Sequence, residues 1–412
     1  MNRNDRAIVG LVALAHAMVH TYELSIPILI PLWLAEFPVE KGTVGAVVAA
    51  GYALFGLGAL PGGVLSDSVG SRRLIAACLF GMAGSFLLLA VAPSLPVVAL
   101  ALVLWGIAAS VYHPSGLSLI STGVEQRGEA FAYHGMAGNV GTAAGPLAVA
   151  VLLLFADWRA VAAVLAVPAV VAGVVAVRVR FDERAAVTAT DGGESTAGGD
   201  SRADVGVTSL WEFLAESKLL LVGPFAAVFV LVMLSGLYYR GVLTFLPDLL
   251  SALPSFAPVE FAGRTLEPYR YVYAGILTVG VLGQYVGGKL TERVPTERAI
   301  AATFGALAAL AAVFLPAADA GLVPLLVVGA LLGFTLFVIQ PLYQATVALY
   351  TPAGTRGLSY GYTYLGVFGV GAGGAALAGG ILQYFSAPAL FAVLAGLAVA
   401  GLLTAVALAV RA

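Results

Sequence analysis

All four histidines of this sequence, His16, His20, His113 and His134, fall in apolar stretches of its first half, and the polar segments hold none. His16, His20 and Glu23 follow one another at i, i+4 and i+7, the spacing that puts three side chains on one face of an α-helix. A histidine changes charge near neutral pH and a carboxylate beside it can share its proton, so this stripe is a candidate proton-coupling site. The same groups are ligand types for a divalent metal, but helical spacing alone is a weak metal signal, and no metal or other cofactor is assigned. Histidines that merely satisfy a packed core are the structural alternative. Ionisable groups are costly in an apolar medium, so their placement implies an aqueous cavity or a proton path.

Arg240 is the only arginine well inside an apolar run. Its position in the second half corresponds to Glu23 in the first, which makes an ion pair between halves the natural expectation, since each charge relieves the burial of the other. Such a pair is a candidate gate; alternatively Arg240 binds an anionic substrate such as a phosphonate or carboxylate, or reaches to the outer surface. Pro114, lacking an N–H, is expected to kink its helix beside His113, and Pro341 to do the same beside Gln340. Gln340, Gln344 and Tyr239 are therefore expected on the wall facing the histidines.

The elements that must position these groups are membrane helices. The chain has 412 residues, is 60% hydrophobic and 10% charged, and carries a net charge of -2. Its mean hydropathy of +0.99 excludes a water-soluble globule. The near-neutral charge gives no reason to expect nucleic acid as a partner. The single cysteine, Cys78, excludes a disulfide framework. Helical runs of the roughly 20 residues needed to span a bilayer recur almost end to end. Twelve are expected, at about 7–35, 43–65, 73–92, 96–120, 129–155 and 158–178, then 218–246, 270–290, 298–316, 322–350, 358–383 and 386–410. The first is too long and too polar for a cleaved leader.

The one long hydrophilic connection, 181–217, is rich in Gly, Ser, Thr and acidic residues and reads as a linker between an N-terminal bundle, 1–180, and a C-terminal bundle, 218–412. Its end, 209–216, reads as a short interfacial helix. Fifteen of the twenty Lys and Arg residues fall on the side of the N-terminus, which predicts both termini in the cytoplasm of a multi-pass cell-membrane protein. An internal repeat supports the two halves. Gly62, Gly63, Leu65, Ser66 and Asp67 align with Gly287, Gly288, Leu290, Thr291 and Glu292, and His113-Pro114 with Gln340-Pro341. Matched halves are the plan of alternating-access carriers, whose substrates bind near the midplane between repeats.

The stretch from Gly63 through Asp67 and Gly70 to Arg72 and Arg73 resembles the loop signature of the major facilitator superfamily between its second and third helices. The resemblance implies two pseudo-symmetric six-helix bundles, and a gate in which Asp67 faces the start of the eleventh helix after Arg356 and Gly357, where backbone N–H groups favour a negative charge. Gly141, Gly145 and Pro146 are similar to the glycine-proline motif of the superfamily's antiporters. More narrowly, His16 with Pro27 and Pro31, and Tyr112-His113-Pro114 with Arg127, Gly128, Gly138 and Asn139, resemble the fosmidomycin-resistance branch. That branch carries an acidic residue where His20 stands here. The resemblance implies proton-coupled efflux of a small organic solute or drug by a monomer. Proton-driven uptake of an organic anion is the rival reading, and a non-transporting sensor or scaffold a remoter one. No nucleophile with a base, metal cage or phosphate loop suggests an enzyme.

Overall fold

The computed structural model describes residues 1–187, 210–352 and 355–411, without the side chains of Asp67, of 210–214, and of Arg356, Gly357 and Arg411. Twelve long helices account for most of it. In the first half they are α1 (Arg3–Glu36), α2 (Lys41–Leu57, continuing as Ala59–Val69), α3 (Ser71–Ala90), α4 (Leu95–Ser110, continuing as Tyr112–Gly123), α5 (Arg127–Leu152) and α6 (Trp158–Arg178). In the second they are α7 (Phe225–Leu243), α8 (Pro268–Leu290), α9 (Thr296–Asp319), α10 (Leu322–Tyr350), α11 (Arg356–Tyr364, a π-helical turn Leu365–Val370, then Gly373–Tyr384) and α12 (Ala387–Arg411). Eleven of these spans are long and apolar enough to cross a membrane. The twelfth, α8, has 23 residues but is diluted by tyrosines, glycines and Gln284.

Each half is a six-helix bundle, packed as α1 with α5, α2 with α4 and α3 with α6, repeated as α7 with α11, α8 with α10 and α9 with α12. Lipid supplies no hydrophobic drive between helices, so close approach of small residues has to do the work. Gly145 of α5 abuts α1 so closely that a Cβ on it would stand 2.7 Å from Thr21 Cα. The Gly141/Gly145 motif thus brings α5 onto the helix that carries His16 and His20. The halves meet along α2 with α11 and α5 with α8.

Local features partly follow and partly depart from the sequence-based expectation. Helix α4 is interrupted at Val111, one residue before Tyr112, as the missing N–H of Pro114 requires. Pro341 leaves α10 continuous over Leu322–Tyr350. The short helix expected at 209–216 extends over Leu210–Val222, and Gly223-Pro224 separates it from α7, which therefore begins later than residue 218. The long connection before α8 contains an antiparallel hairpin, β1 (Val259–Phe261) and β2 (Arg264–Leu266). Its two-residue turn places Ala262 and Gly263 at positive φ, as tight hairpin turns demand.

Candidate functional site

A cavity of about 610 Å³ lies between the bundles. Its first-half wall comes from α1, α4 and α5, including His16, His20, Glu23, His113, His134 and Asn139. The opposite wall includes Tyr239, Gln284, Gln340, Tyr343, Gln344 and Tyr364 from α7, α8, α10 and α11. Lining residues at the end shared with the N-terminus, Ser121, Phe131, Gln344 and Tyr360, are exposed, whereas His16, Glu23, His113 and His134 at the floor are buried. The cavity is therefore open toward that end.

Polar links across the bundles seal the opposite end. Lys41 Nζ lies 2.6 Å from Asp248 Oδ2. The Gly42 backbone N–H donates to Gln383 Oε1 at 3.0 Å, and Gln383 also donates to the Glu40 carboxylate. Below these links α2 and α11 meet backbone to backbone: a Cβ on Gly379 would lie 3.0 Å from Gly45 Cα. Tyr271 of α8 donates to the Ala150 carbonyl of α5 at 3.4 Å.

The histidines form one contiguous cluster. His16 and His134 stack with ring centroids 3.8 Å apart and planes within 5° of parallel. His113, beside the break in α4, stands edge-on to His16 at 5.3 Å and to His20 at 5.8 Å. His16 Nδ1 is 2.7 Å from the His134 carbonyl oxygen, which can only accept, so Nδ1 carries the hydrogen. His20 Nδ1 is 2.6 Å from Glu23 Oε2 and donates to that carboxylate. The two Nε2 atoms then face each other at 3.0 Å. As neutral rings they would meet lone pair to lone pair, so the contact is favourable only when a cation lies between them: a proton on one ring, or a metal ion.

Glu23 has a second partner, Arg240 of α7, whose Nη2 donates to Oε1. Both side chains are only 2% exposed, so two opposite charges from different bundles are buried against each other. The guanidinium also lies over the Tyr52 ring, 3.7 Å from its centroid, and Tyr52 O–H donates to the Glu23 backbone carbonyl at 3.0 Å. Arg240 stands behind Glu23 and Tyr239 and is not itself on the cavity wall.

The stretch from Gly63 in α2 through Gly70 to Arg72 and Arg73 in α3, expected as a loop, is helical on both sides of Gly70 and stands apart from this cluster. Gly70 has φ of 94°, and Ser71 N–H donates to Glu183 Oε2 at 3.0 Å while Arg72 donates to the Val179 carbonyl at 2.8 Å. These bonds tie the start of α3 to the segment after α6 in its own bundle. The expected latch between the Asp67 side chain and Arg356 and Gly357, like most of the linker, lies outside the described residues. Sequence reasoning missed the Lys41–Asp248 and Gln383 links and the lining residues Gln284 and Asn139. The links join positions more than 200 residues apart, and single polar residues in apolar runs give no pairing signal.

Two matched helical bundles around a central cavity with buried, hydrogen-bonded charges define an integral membrane protein built as a transporter. The sequence matches the family model described as Major Facilitator Superfamily over residues 11–375, and the chain belongs to that superfamily. Similar solved structures include a mutant of the nucleoside transporter NupG, at 13% identity and a TM-score of 0.75, covering 98% of this chain and 99% of that one. A peptide transporter POT in complex with sulfate has 15% identity and a TM-score of 0.71, covering 98% and 94%. A bacterial homolog of the human lysosomal transporter Spinster, inward-facing and unoccupied, has 16% identity and a TM-score of 0.67, covering 100% and 96%. At such identities the likeness shows the fold alone. No curated protein matches the chain in sequence.

Proposed function

We propose that this chain is an alternating-access exporter of a small organic solute, driven by protons moving the other way. The observation that carries the reading is an unbroken file of polar contacts, from the His134 carbonyl through His16, His20 and Glu23 to Arg240, that begins on the cavity wall and ends in the other bundle. A proton entering the cavity meets the facing Nε2 atoms of His16 and His20 first. Any change of charge there is felt by Glu23, and through it by the ion pair that holds the bundles together, so proton occupancy and bundle position are coupled by direct contact.

The cavity volume suits a metabolite-sized or drug-sized ligand. Aromatic and amide groups from Tyr239, Tyr343, Tyr364, Gln284 and Gln340 offer stacking and hydrogen bonds, and Gln284 Oε1 is buried without a partner among the described residues. The distribution of basic residues supports an orientation with the open end and both termini in the cytoplasm, which is the side from which an exporter loads.

Reconstitution into liposomes with an imposed pH gradient tests this. Solute leaving the side that the termini face in exchange for protons supports export, with loss of the pH response in Glu23→Gln. Solute accumulating with the proton flow would replace it by uptake, and no flux of any screened solute would favour the sensor reading.

A further inference from the structure

We propose that His16, His20 and His113 form a binding site for a borderline divalent metal ion, of the Zn²⁺, Ni²⁺ or Co²⁺ class, in the floor of the central cavity. One nitrogen from each ring lies within 4.8 Å of the other two. The His16 and His20 Nε2 atoms are already 3.0 Å apart. Metal–imidazole bonds of 2.0–2.1 Å in tetrahedral geometry imply nitrogens about 3.3 Å apart, so the α1 pair has nearly the required bite and His113 must close by up to about 1.5 Å. His113 lies two residues after the break at Val111, in the first turn of the second segment of α4.

The hydrogen bonds behind the rings argue for ligands rather than packing. The His134 carbonyl fixes the hydrogen of His16 on Nδ1, and Glu23 fixes that of His20, so both Nε2 lone pairs point at the same place. A carboxylate or carbonyl behind a ligating histidine is the arrangement that orients the ring and raises its basicity toward a metal. Three neutral imidazoles select Zn²⁺, Ni²⁺, Co²⁺ or Cu²⁺ over Mg²⁺ and Ca²⁺, which want oxygen. The fourth position faces the cavity, open to water or to a ligating group on a solute. His134 is not part of the set: its ring stacks on His16 and its Nδ1 is 3.3 Å from the Tyr112 hydroxyl. Metal occupancy would claim the same lone pairs as the proton relay proposed above; only this consequence rests on the transport reading.

Binding is measured without transport. Protein purified with a tag free of histidine is titrated with Co²⁺, read by the ligand-field absorption of the four-coordinate ion, and with Zn²⁺ by calorimetry. One ion per chain is expected. His20→Ala and His113→Ala should each weaken binding at least tenfold and Glu23→Gln about tenfold. Thermal denaturation of each variant without metal separates lost ligands from lost folding, and Zn²⁺ should raise the parent's Tm but not that of His113→Ala. No saturable binding at millimolar ion, or equal binding by all variants, would overturn the site. Because neither readout involves flux, a failed transport assay leaves this result standing, and a failed titration leaves the transport proposal standing.

Discussion

Removing Arg240 is the sharpest test of how the two bundles are held. Arg240→Ala leaves the buried Glu23 carboxylate with His20 as its remaining side-chain partner. Deleting one member of a buried ion pair costs about 3–5 kcal/mol, because the other charge stays out of water unpaired. Loss of the cation–π contact with Tyr52 belongs to the same change. Neutralising both members removes the orphan charge, so Glu23→Gln/Arg240→Ala should be more stable than the sum of the single effects implies, by on the order of 2–3 kcal/mol. At 1.4 kcal/mol per tenfold, that coupling is a factor of roughly 30–140 in the unfolding equilibrium. Titration with a denaturing detergent in mixed micelles, followed by the fluorescence of the buried Trp33 and Trp105, measures all four corners of the cycle. If Arg240→Ala costs less than about 1 kcal/mol, the range of exposed pairs, or if the two substitutions simply add, then this pair does not hold the bundles together.

Three more outcomes follow from the geometry. A Cβ on Gly138 would stand 2.5 Å from His16 Cε1 and 2.7 Å from its Nδ1, so Gly138→Ala should displace the ring, cost the bond to His134 and reduce proton-driven flux at least tenfold in liposomes. Gly379→Val should force α2 and α11 apart at the sealed end; a reporter cysteine placed there should label faster, against the low background of the buried Cys78. Lys41 and Asp248, with side chains 37% and 11% exposed, are partly screened, so Lys41→Ala should shift the open–closed balance by about 1 kcal/mol, near fivefold, in spin-label distances across that end.

The number and order of the spans were legible because a bilayer imposes a length and a hydropathy that almost nothing else does. The i, i+4, i+7 stripe on α1 was legible for a similar reason, since helical periodicity carries over from chain to structure. What the chain did not announce was contact between distant segments at single positions. Lys41 and Asp248 read as two loop charges, and Gln383 as an ordinary polar residue near a helix end. The repeat alignment did pair Glu23 with Arg240 in depth, but distance, burial and the Tyr52 ring beneath the guanidinium are three-dimensional facts. The same local rule for proline met two outcomes: α10 stays a continuous helix through Pro341, whereas α4 breaks near Pro114. The π-turn in α11 has no signature in a run of small and aromatic residues.

The hairpin before α8 bears on how the molecule can be stopped. Arg264, at its turn, donates to the Leu154 carbonyl at 2.9 Å and lies 4.3 Å from the centroid of the Phe155 ring, so a solvent-facing finger of the second bundle rests on the α5–α6 connection of the first. Any motion that parts the two halves at that end must lift the finger from its rest. An antibody fragment that grips finger and rest together would clamp the protein in this state without entering the cavity, a route to arrest that owes nothing to the solute being carried.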